Sequence, residues 1–548
     1  MIEPGVRHRH RPWIGVMTVG ALCAVLVAAP ATLATPPLQF SEVGVRAGLG
    51  REHPGAFSAP PHAPGGVAGD FDGDGAQDLF YATGGGSPDR LFINRRDGTF
   101  IDRAVPAGLA RVHRAHGAAA ADFDGDGSLD LFIPSAGPEE PGLPPPGHLL
   151  LYRGNGDGTF TCCAPYRDPD GRLDRGAGGM AAAFGDYDLD GDLDLFVGNW
   201  ASGIRGNVLF RNDGDGGFTE VGARAGVADD LVLAFAAQFV DLNGDRYPEL
   251  IVAADFGTSR YYRNEGDGTF TDRTISSRTG REANGMGSAV ADLNGDGRLD
   301  WYVTSVSTRW PIDRTPGTGN ALYLNTGGDR FDEVARLAQV RDAGWGWGVE
   351  AVDLDHDGLR DLVTTTGWIT PNGADLYEWE DQPTFLFRNT GPDADGVPAF
   401  EPVDAASVGL RHRLQGRALI TLDYDDDGDR DIVIFNFDSR PSLFRNDLGD
   451  PDGPSGAGDA GWLRVFLDPP RGSGLAPHGW GAVVTVVAGG RTQSAPVGAG
   501  GFFGASELSA HFGLGSAASV DELIVDWPDG TRTALRDLAP NQTLTVRP

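Results

Sequence analysis

The 548 residues predict an all-β fold, a seven-bladed β-propeller followed by a small all-β C-terminal domain, and three observations carry that reading. An Asp-rich loop recurs seven times, starting at Asp70, Asp122, Asp186, Asp241, Asp292, Asp353 and Asp423, at separations of 52, 64, 55, 51, 61 and 70 residues. A short apolar run such as Leu79-Phe80-Tyr81 or Leu195-Phe196-Val197 follows each loop, and such runs read as strands. An Asn-bearing hairpin element then closes the unit, as in Leu91-Phe92-Ile93-Asn94 before Asp97-Gly98. A repeat of this length, with four short strands per unit, describes propeller blades.

Each loop alternates oxygen-bearing residues around a turn. In the first, Asp70, Asp72, Asp74 and Asp78 stand at positions 1, 3, 5 and 9, Gly75 takes the turn at position 6, and Ala76 offers its carbonyl at position 7. Odd positions converge when a tight loop wraps a cation, and many hard oxygens suit Ca²⁺ better than Zn²⁺. The same positions are Asp122, Asp124, Asp126, Ser128 and Asp130 in the second loop, and Asp186, Asp188, Asp190, Asp192 and Asp194 in the third. They are Asp241, Asn243, Asp245, Tyr247 and Glu249 in the fourth, and Asp292, Asn294, Asp296, Arg298 and Asp300 in the fifth. The sixth has Asp353, Asp355, Asp357, Leu359 and Asp361, and the seventh Asp423, Asp425, Asp427, Asp429 and Asp431. Up to seven calcium ions are expected, and the site starting at Asp241 is expected to be the weakest. There Arg246 replaces the turn Gly and Glu249 the last Asp. The loops lack the position-12 Glu and the flanking helical periodicity of an EF-hand.

The units explain the rest of the repeat region. Small-residue stretches before the loops, such as Gly117-Ala118-Ala119-Ala120-Ala121, suit inner strands crowded around an axis. Phe-led fourth strands follow the hairpins, as at Phe100, Phe218, Phe270 and Phe331. Phe40-Ser41-Glu42-Val43 has the same form but precedes every loop, while the last hairpin at Asn446 has no such strand after it. The N-terminal strand is therefore expected to complete the seventh blade. Without it the edge at Leu443-Phe444-Arg445 would be left unpaired.

Residues 1–34 read as a signal peptide. Arg7, Arg9 and Arg11 precede an apolar stretch from Ile14 to Ala29, too short for a typical transmembrane helix, and small residues follow at Ala31 and Ala34. The mature chain is expected to be exported, whether secreted, periplasmic or cell-surface-associated, with no membrane span. Residues 35–447 form the propeller, 448–460 a Gly/Pro/Asp-rich linker, and 461–548 the C-terminal β domain. A formal charge of −33 speaks against nucleic acid as a partner, though much of it lies in the loops. Cys162 and Cys163 are adjacent, closer than the usual Cα–Cα range of a disulfide, so two free or individually buried thiols are favoured over a vicinal disulfide.

The Asp loops with their apolar tails resemble FG-GAP repeats. The C-terminal stretch resembles an ASPIC/UnbV domain through Trp462-Leu463-Arg464-Val465, His511-Phe512-Gly513-Leu514-Gly515 and Trp527-Pro528-Asp529-Gly530. The pairing resembles the cartilage acidic protein family and its exported bacterial relatives, and implies a calcium-binding extracellular propeller without fixing an activity.

No His-Glu-x-x-His, Gly-x-Ser-x-Gly or phosphate-cradling Gly loop occurs, so catalytic residues are not assigned. The connections before the inner strands supply a candidate ligand face. They contain His113, Arg114 and His116; Arg281, Glu282 and Asn284; Trp345 and Trp347; and His412, Arg413, Gln415 and Arg417. Such a mixture suits an anionic or sugar-like ligand, but the preferred reading is packing of Trp345 and Trp347 between blades and pairing of the Arg residues with the acidic surface. The expected role is a binding or adhesion module for an extracellular glycan or protein. The alternatives are a polysaccharide lyase and an accessory factor in natural-product biosynthesis.

Overall fold

The computed structural model describes residues 38–50, 63–85, 87–112, 115–134, 150–162, 179–200, 206–214, 217–307, 317–368, 381–437, 439–448, 460–498, 500–501 and 503–548. Residues 1–34, expected to be a signal peptide, and nearly all of the expected linker lie outside them. Among the described residues, seven antiparallel sheets each contain four strands in meander order, and one of these sheets gains a fifth strand. The first runs through Gly65–Gly69, Asp78–Ala82, Arg90–Asn94 and Phe100–Asp102. The innermost strand of every sheet touches that of the next, and Gly416–Leu422 of the last returns to Gly65–Gly69 of the first. This is a closed β-propeller.

Each Asp loop joins the first and second strands of its blade, and its position-9 acid opens the second strand. Asp78, Asp130, Asp194, Glu249, Asp300, Asp361 and Asp431 all begin strands. The ring closes through the N-terminus: Phe40, Ser41 and Glu42 pair antiparallel with Asn446, Arg445 and Phe444. A side-chain bond from Ser41 Oγ to Asp447 Oδ2, 2.6 Å, supports the pairing.

Asparagines join neighbouring blades. The amide of Asn94, at the end of the third strand, donates to Gln77 O in its own loop and to Tyr424 O in the loop of the seventh blade. The amides of Asn212, Asn264, Asn325, Asn389 and Asn446 reach the carbonyls of Phe123, Tyr187, Leu242, Leu293 and Leu354 in the same way, each at 2.7–2.9 Å. The second blade has Gly154 at this position, and there the N–H of Gly158 donates to Phe71 O instead.

The C-terminal region forms two sheets around one apolar core that includes Leu463, Val484, Phe512, Val525 and Trp527. Gly461–Leu467 lies between Ala510–Gly515 and Gln542–Val546. Val483–Ala488 and Val520–Asp526 form the centre of the other sheet. Between the sheets' strands, Gly504–Ala505 leaves the domain and pairs in parallel with Gly66 and Val67 of the first blade's inner strand. Around it, the N–H of Gly66 donates to Phe503 O, the amide of Gln238 donates to Gly500 O, and Ser506 Oγ donates to Glu350. These partners come from the inner strands of the first, fourth and sixth blades, so the segment plugs the ring's axis. Sequence reading did not anticipate this fifth strand.

Cys162 is disulfide-bonded, against the favoured reading of free thiols, and the chain's other cysteines lie outside the described residues. No helix among the described residues is long and apolar enough to cross a membrane.

Candidate functional site

All seven loops share one hydrogen-bond scaffold. The position-1 carboxylate accepts the N–H of position 6, from Gly75 to Asp70 through to Gly428 to Asp423. The position-5 carboxylate accepts the N–H of position 7, as from Ala76 to Asp74 and Tyr247 to Asp245. The position-9 acid accepts the N–H of position 2 through one oxygen, as from Phe71 to Asp78. In every loop but the fourth its other oxygen accepts the N–H at the end of the third strand, as from Asn94 to Asp78, whereas in the fourth Glu249 Oε1 takes the Asn243 amide. These bonds spread carboxylates around one point while the backbone holds their outer lone pairs.

Five loops bring three carboxylates together with oxygens within 4.8 Å of one another: Asp70, Asp72, Asp78; Asp122, Asp124, Asp130; Asp186, Asp188, Asp194; Asp353, Asp355, Asp357; and Asp423, Asp425, Asp431. Burial pushes Asp78, Asp130 and Asp353 up to about 8, the cost of placing carboxylates together away from water. Buried oxygens of Asp188, Asp353, Asp355, Asp423 and Asp425 have no hydrogen-bond donor. An all-oxygen set with donor-free atoms fits a hard divalent cation.

The fourth and fifth loops differ. Asn stands at position 3 in both, and neither gathers three carboxylates among the described residues. Asn243 turns its amide to Glu249 at 2.8 Å. Arg246 holds a left-handed backbone at φ 80° where other loops use Gly. In the fifth, Arg298 bonds Asp296 and Asn294 bonds Gly396 O, so ligand candidates are already engaged.

The expected ligand-face residues divide by burial. His113 and Arg114 lie outside the described residues. His116 is buried, accepts the Ala63 N–H at 3.1 Å and packs on Phe503 of the plug. His412 is buried between Thr384 and Asn436. Arg417 is 3% exposed, with its guanidinium 4.4 Å from the centre of the Trp347 ring. It donates to Gly367 O and to the buried Gln415, and burial lowers it to about 9. Glu282 is buried and accepts the Tyr323 hydroxyl. These side chains sit in the core because the inner strands bring the connections against the axis. Arg281 and Arg413 are exposed, and Arg413 donates to Asp381 O.

An aromatic cluster gathers here, the part-buried Trp200, Trp345 and Trp368 lying over the buried Trp347 and Phe235. The rings of Trp345 and Trp368 stack at 5.0 Å, and Trp345 and Trp347 at 6.2 Å, both pairs nearly parallel. Phe235 links Trp347 to Trp200. The indole N–H of Trp200 donates to Asp255, and so does the amide of Asn284, at 3.0 and 2.7 Å. Beside Asp255, Phe256 is 51% exposed in a left-handed backbone, an unusual place for a large apolar side chain. Sequence reading missed Trp200, Asp255, Phe256 and Trp368. All four follow a second strand, and those connections open on the face away from the Asp loops. That shared position after the apolar run was the available signal.

The comparisons with known proteins fit this architecture. An FG-GAP-like repeat model matches residues 70–133, 143–197 and 241–303, and an ASPIC and UnbV model matches 472–548. The chain carries FG-GAP-like repeats and a C-terminal ASPIC/UnbV domain. It is distantly homologous to cartilage acidic protein 1: the Xenopus tropicalis protein is 25% identical over 453 residues, covering 77% of this chain and 62% of that protein. The Mus musculus protein is 24% identical over 505 residues, covering 84% and 70%. FG-GAP repeats commonly bind calcium. Among solved structures, an Agrocybe aegerita lectin recognising non-reducing terminal N-acetylglucosamine aligns with TM-score 0.40 and 18% identity, covering 69% of this chain and 86% of the lectin. An exotype rhamnogalacturonan lyase aligns with TM-score 0.36 and 16% identity, covering 74% and 75%. The ASPIC/UnbV match begins after Gly461–Leu467, yet that strand is central to one C-terminal sheet.

Proposed function

We propose that this protein is an exported, calcium-braced binding module that takes a glycan on the propeller face opposite the Asp loops. The part-buried Trp345 and Trp368, stacked over the buried Trp347 and beside the Trp200–Asp255–Asn284 group, carry the reading. Flat aromatic faces suit the apolar faces of sugar rings, while carboxylate and amide oxygens suit hydroxyls. Calcium would be held by the position 1, 3, 5 and 9 acids of the Asp loops, with the position-7 carbonyl. Its role there is to neutralise clustered carboxylates and fix the loops.

The burial of His116 and His412 favours binding over a lyase reaction, which needs a proton acceptor open to substrate. A glycan array followed by calorimetry tests the reading. Binding should be lost in Trp368→Ala and weakened in Asp255→Asn, with melting nearly unchanged. Retained glycan binding in both variants would overturn the face assignment. Release of unsaturated sugar products absorbing in the near ultraviolet would overturn the non-catalytic reading.

A further inference from the structure

The sixth and seventh Asp loops are finished by the C-terminal domain. In the other loops, Oδ1 of the position-1 Asp accepts a backbone N–H from position 4 or 5: Asp126 to Asp122, Asp190 to Asp186, Gly244 to Asp241 and Asp296 to Asp292 are examples. In the last two loops Oδ1 of Asp353 and of Asp423 has no donor, while Oδ2 takes the position-6 N–H and a second donor from the C-terminal domain. For Asp353 that donor is the Gly513 N–H at 3.1 Å, and for Asp423 it is the Arg464 guanidinium at 2.5 Å. The same shift occurs in two adjacent blades, by two unrelated donors.

Docking also shields part of these loops from water, although Asp357, Asp425 and Asp427 stay half-buried and Asp426 exposed. Asp353, Asp355 and Asp423 are 0, 1 and 2% exposed. His511 Nε2 donates to Gly428 O, Arg360 donates to His511 O, and Trp462 lies directly against Gly428. Arg464 on Asp423 and Arg388 on Asp355 offset part of the buried charge, and the donor-free oxygens remain. Covering an empty acidic loop is costly, whereas a bound cation gains strength when water is excluded.

We propose that the C-terminal domain and calcium at the sixth and seventh loops stabilise one another, so that calcium there latches the domain and seats its plug. The inference rests on the calcium reading above. Arg464 and Gly513 are positioning groups: they hold the outer oxygen so that Oδ1 faces inward. The plug follows because Glu507 accepts the Asp423 N–H, pairs with Arg430 and bonds Ser509, tying the plug segment to the seventh loop. By reciprocity, the factor by which docking tightens calcium equals the factor by which calcium tightens docking.

The test uses the full mature chain. Amide hydrogen exchange of residues 503–515 is followed through a calcium titration, and Tb³⁺ luminescence excited through Trp462 reports occupancy of the seventh loop. Chelation should speed exchange of 503–515 at least tenfold. Asp355→Asn with Asp425→Asn, at positions that no C-terminal residue bonds, should give fast exchange at calcium levels that protect the wild type. Asp72→Asn in the first loop should not. Arg464→Gln should weaken Tb³⁺ at the seventh loop at least threefold. Calcium binding with exchange of 503–515 unchanged, or altered equally by Asp72→Asn, would overturn the latch alone. No calcium effect on melting and no Tb³⁺ luminescence would overturn the calcium reading, and the latch with it.

Discussion

The side-chain amide of Asn94 donates to the backbone carbonyl of Tyr424 at 2.7 Å, joining the first blade to the seventh across 330 residues of sequence. The same amide serves Gln77 O, and its oxygen accepts the Arg96 N–H. Three bonds from one buried side chain hold the corner where two blades and one Asp loop meet.

Replacing Asn94 with Ala should therefore cost about 2–3 kcal/mol, because two buried carbonyls lose their donor. Chemical denaturation measures this. A loss below about 0.5 kcal/mol would mean that water takes over both carbonyls.

The pairing of Phe40 with Asn446 makes a sharper test of closure. Phe40 is buried against Leu354, Leu386 and Phe444, so Phe40→Ala should cost about 3–5 kcal/mol. A terminal strand that merely frayed would show almost no change in melting.

Calcium removal should lower the melting temperature, and Ca²⁺ should restore it better than Mg²⁺, which keeps more of its own water. At limiting calcium the loops starting at Asp241 and Asp292 should fill last, since Asn243 and Asn294 replace a carboxylate and Arg246 holds a left-handed backbone costing about 1 kcal/mol. Site occupancies refined from crystals grown at graded calcium would measure the order. Early filling of either loop would contradict it.

Glu350 gives a pH dependence separate from the loops. It lines a cavity of about 130 Å³ beneath the plug and accepts the Ser506 hydroxyl. Burial raises its carboxyl to about 7. Between its ordinary range and pH 7 the unfolded chain has released a proton that the folded chain retains, so stability falls as pH rises through that window. Glu350→Gln removes this loss. The variant should match the wild type near pH 4.5 and exceed it by about 1–2 kcal/mol above pH 7, after allowance for solvent in the cavity. Parallel denaturation curves at all pH values would contradict this.

The ring was legible because its determinants are local and repeated. Asp70 to Asp78 announces a turn, the run at Leu79 a strand, and Phe40 a strand without a blade of its own. The linking asparagines were visible as a motif, but their partners lie one blade away, so spacing alone could not reveal Asn446 reaching Leu354. The plug was illegible for a related reason. Gly504 and Ala505 form a two-residue strand whose partner is fixed by tertiary fit, not by alternation. His116 and Arg417 have the composition of surface ligands, and only the convergence of blades on the axis buries them. Trp200 and Trp368, from blades far apart in sequence, join one cluster only through Phe235 and Trp347, and no one-dimensional pattern links them.

Closure by Phe40–Glu42 also imposes an order in time. Ser41 bonds a residue 406 positions further along, so the first ordered strand emerges long before its neighbour exists. At about 5–20 residues per second of synthesis, roughly 20–80 s separate the two. Through that interval the earliest part of the chain carries an open strand edge, which must be kept from pairing with another copy. The seam that makes the finished ring cooperative is thus the last to form, and misassembly between nascent chains competes at that step before any other.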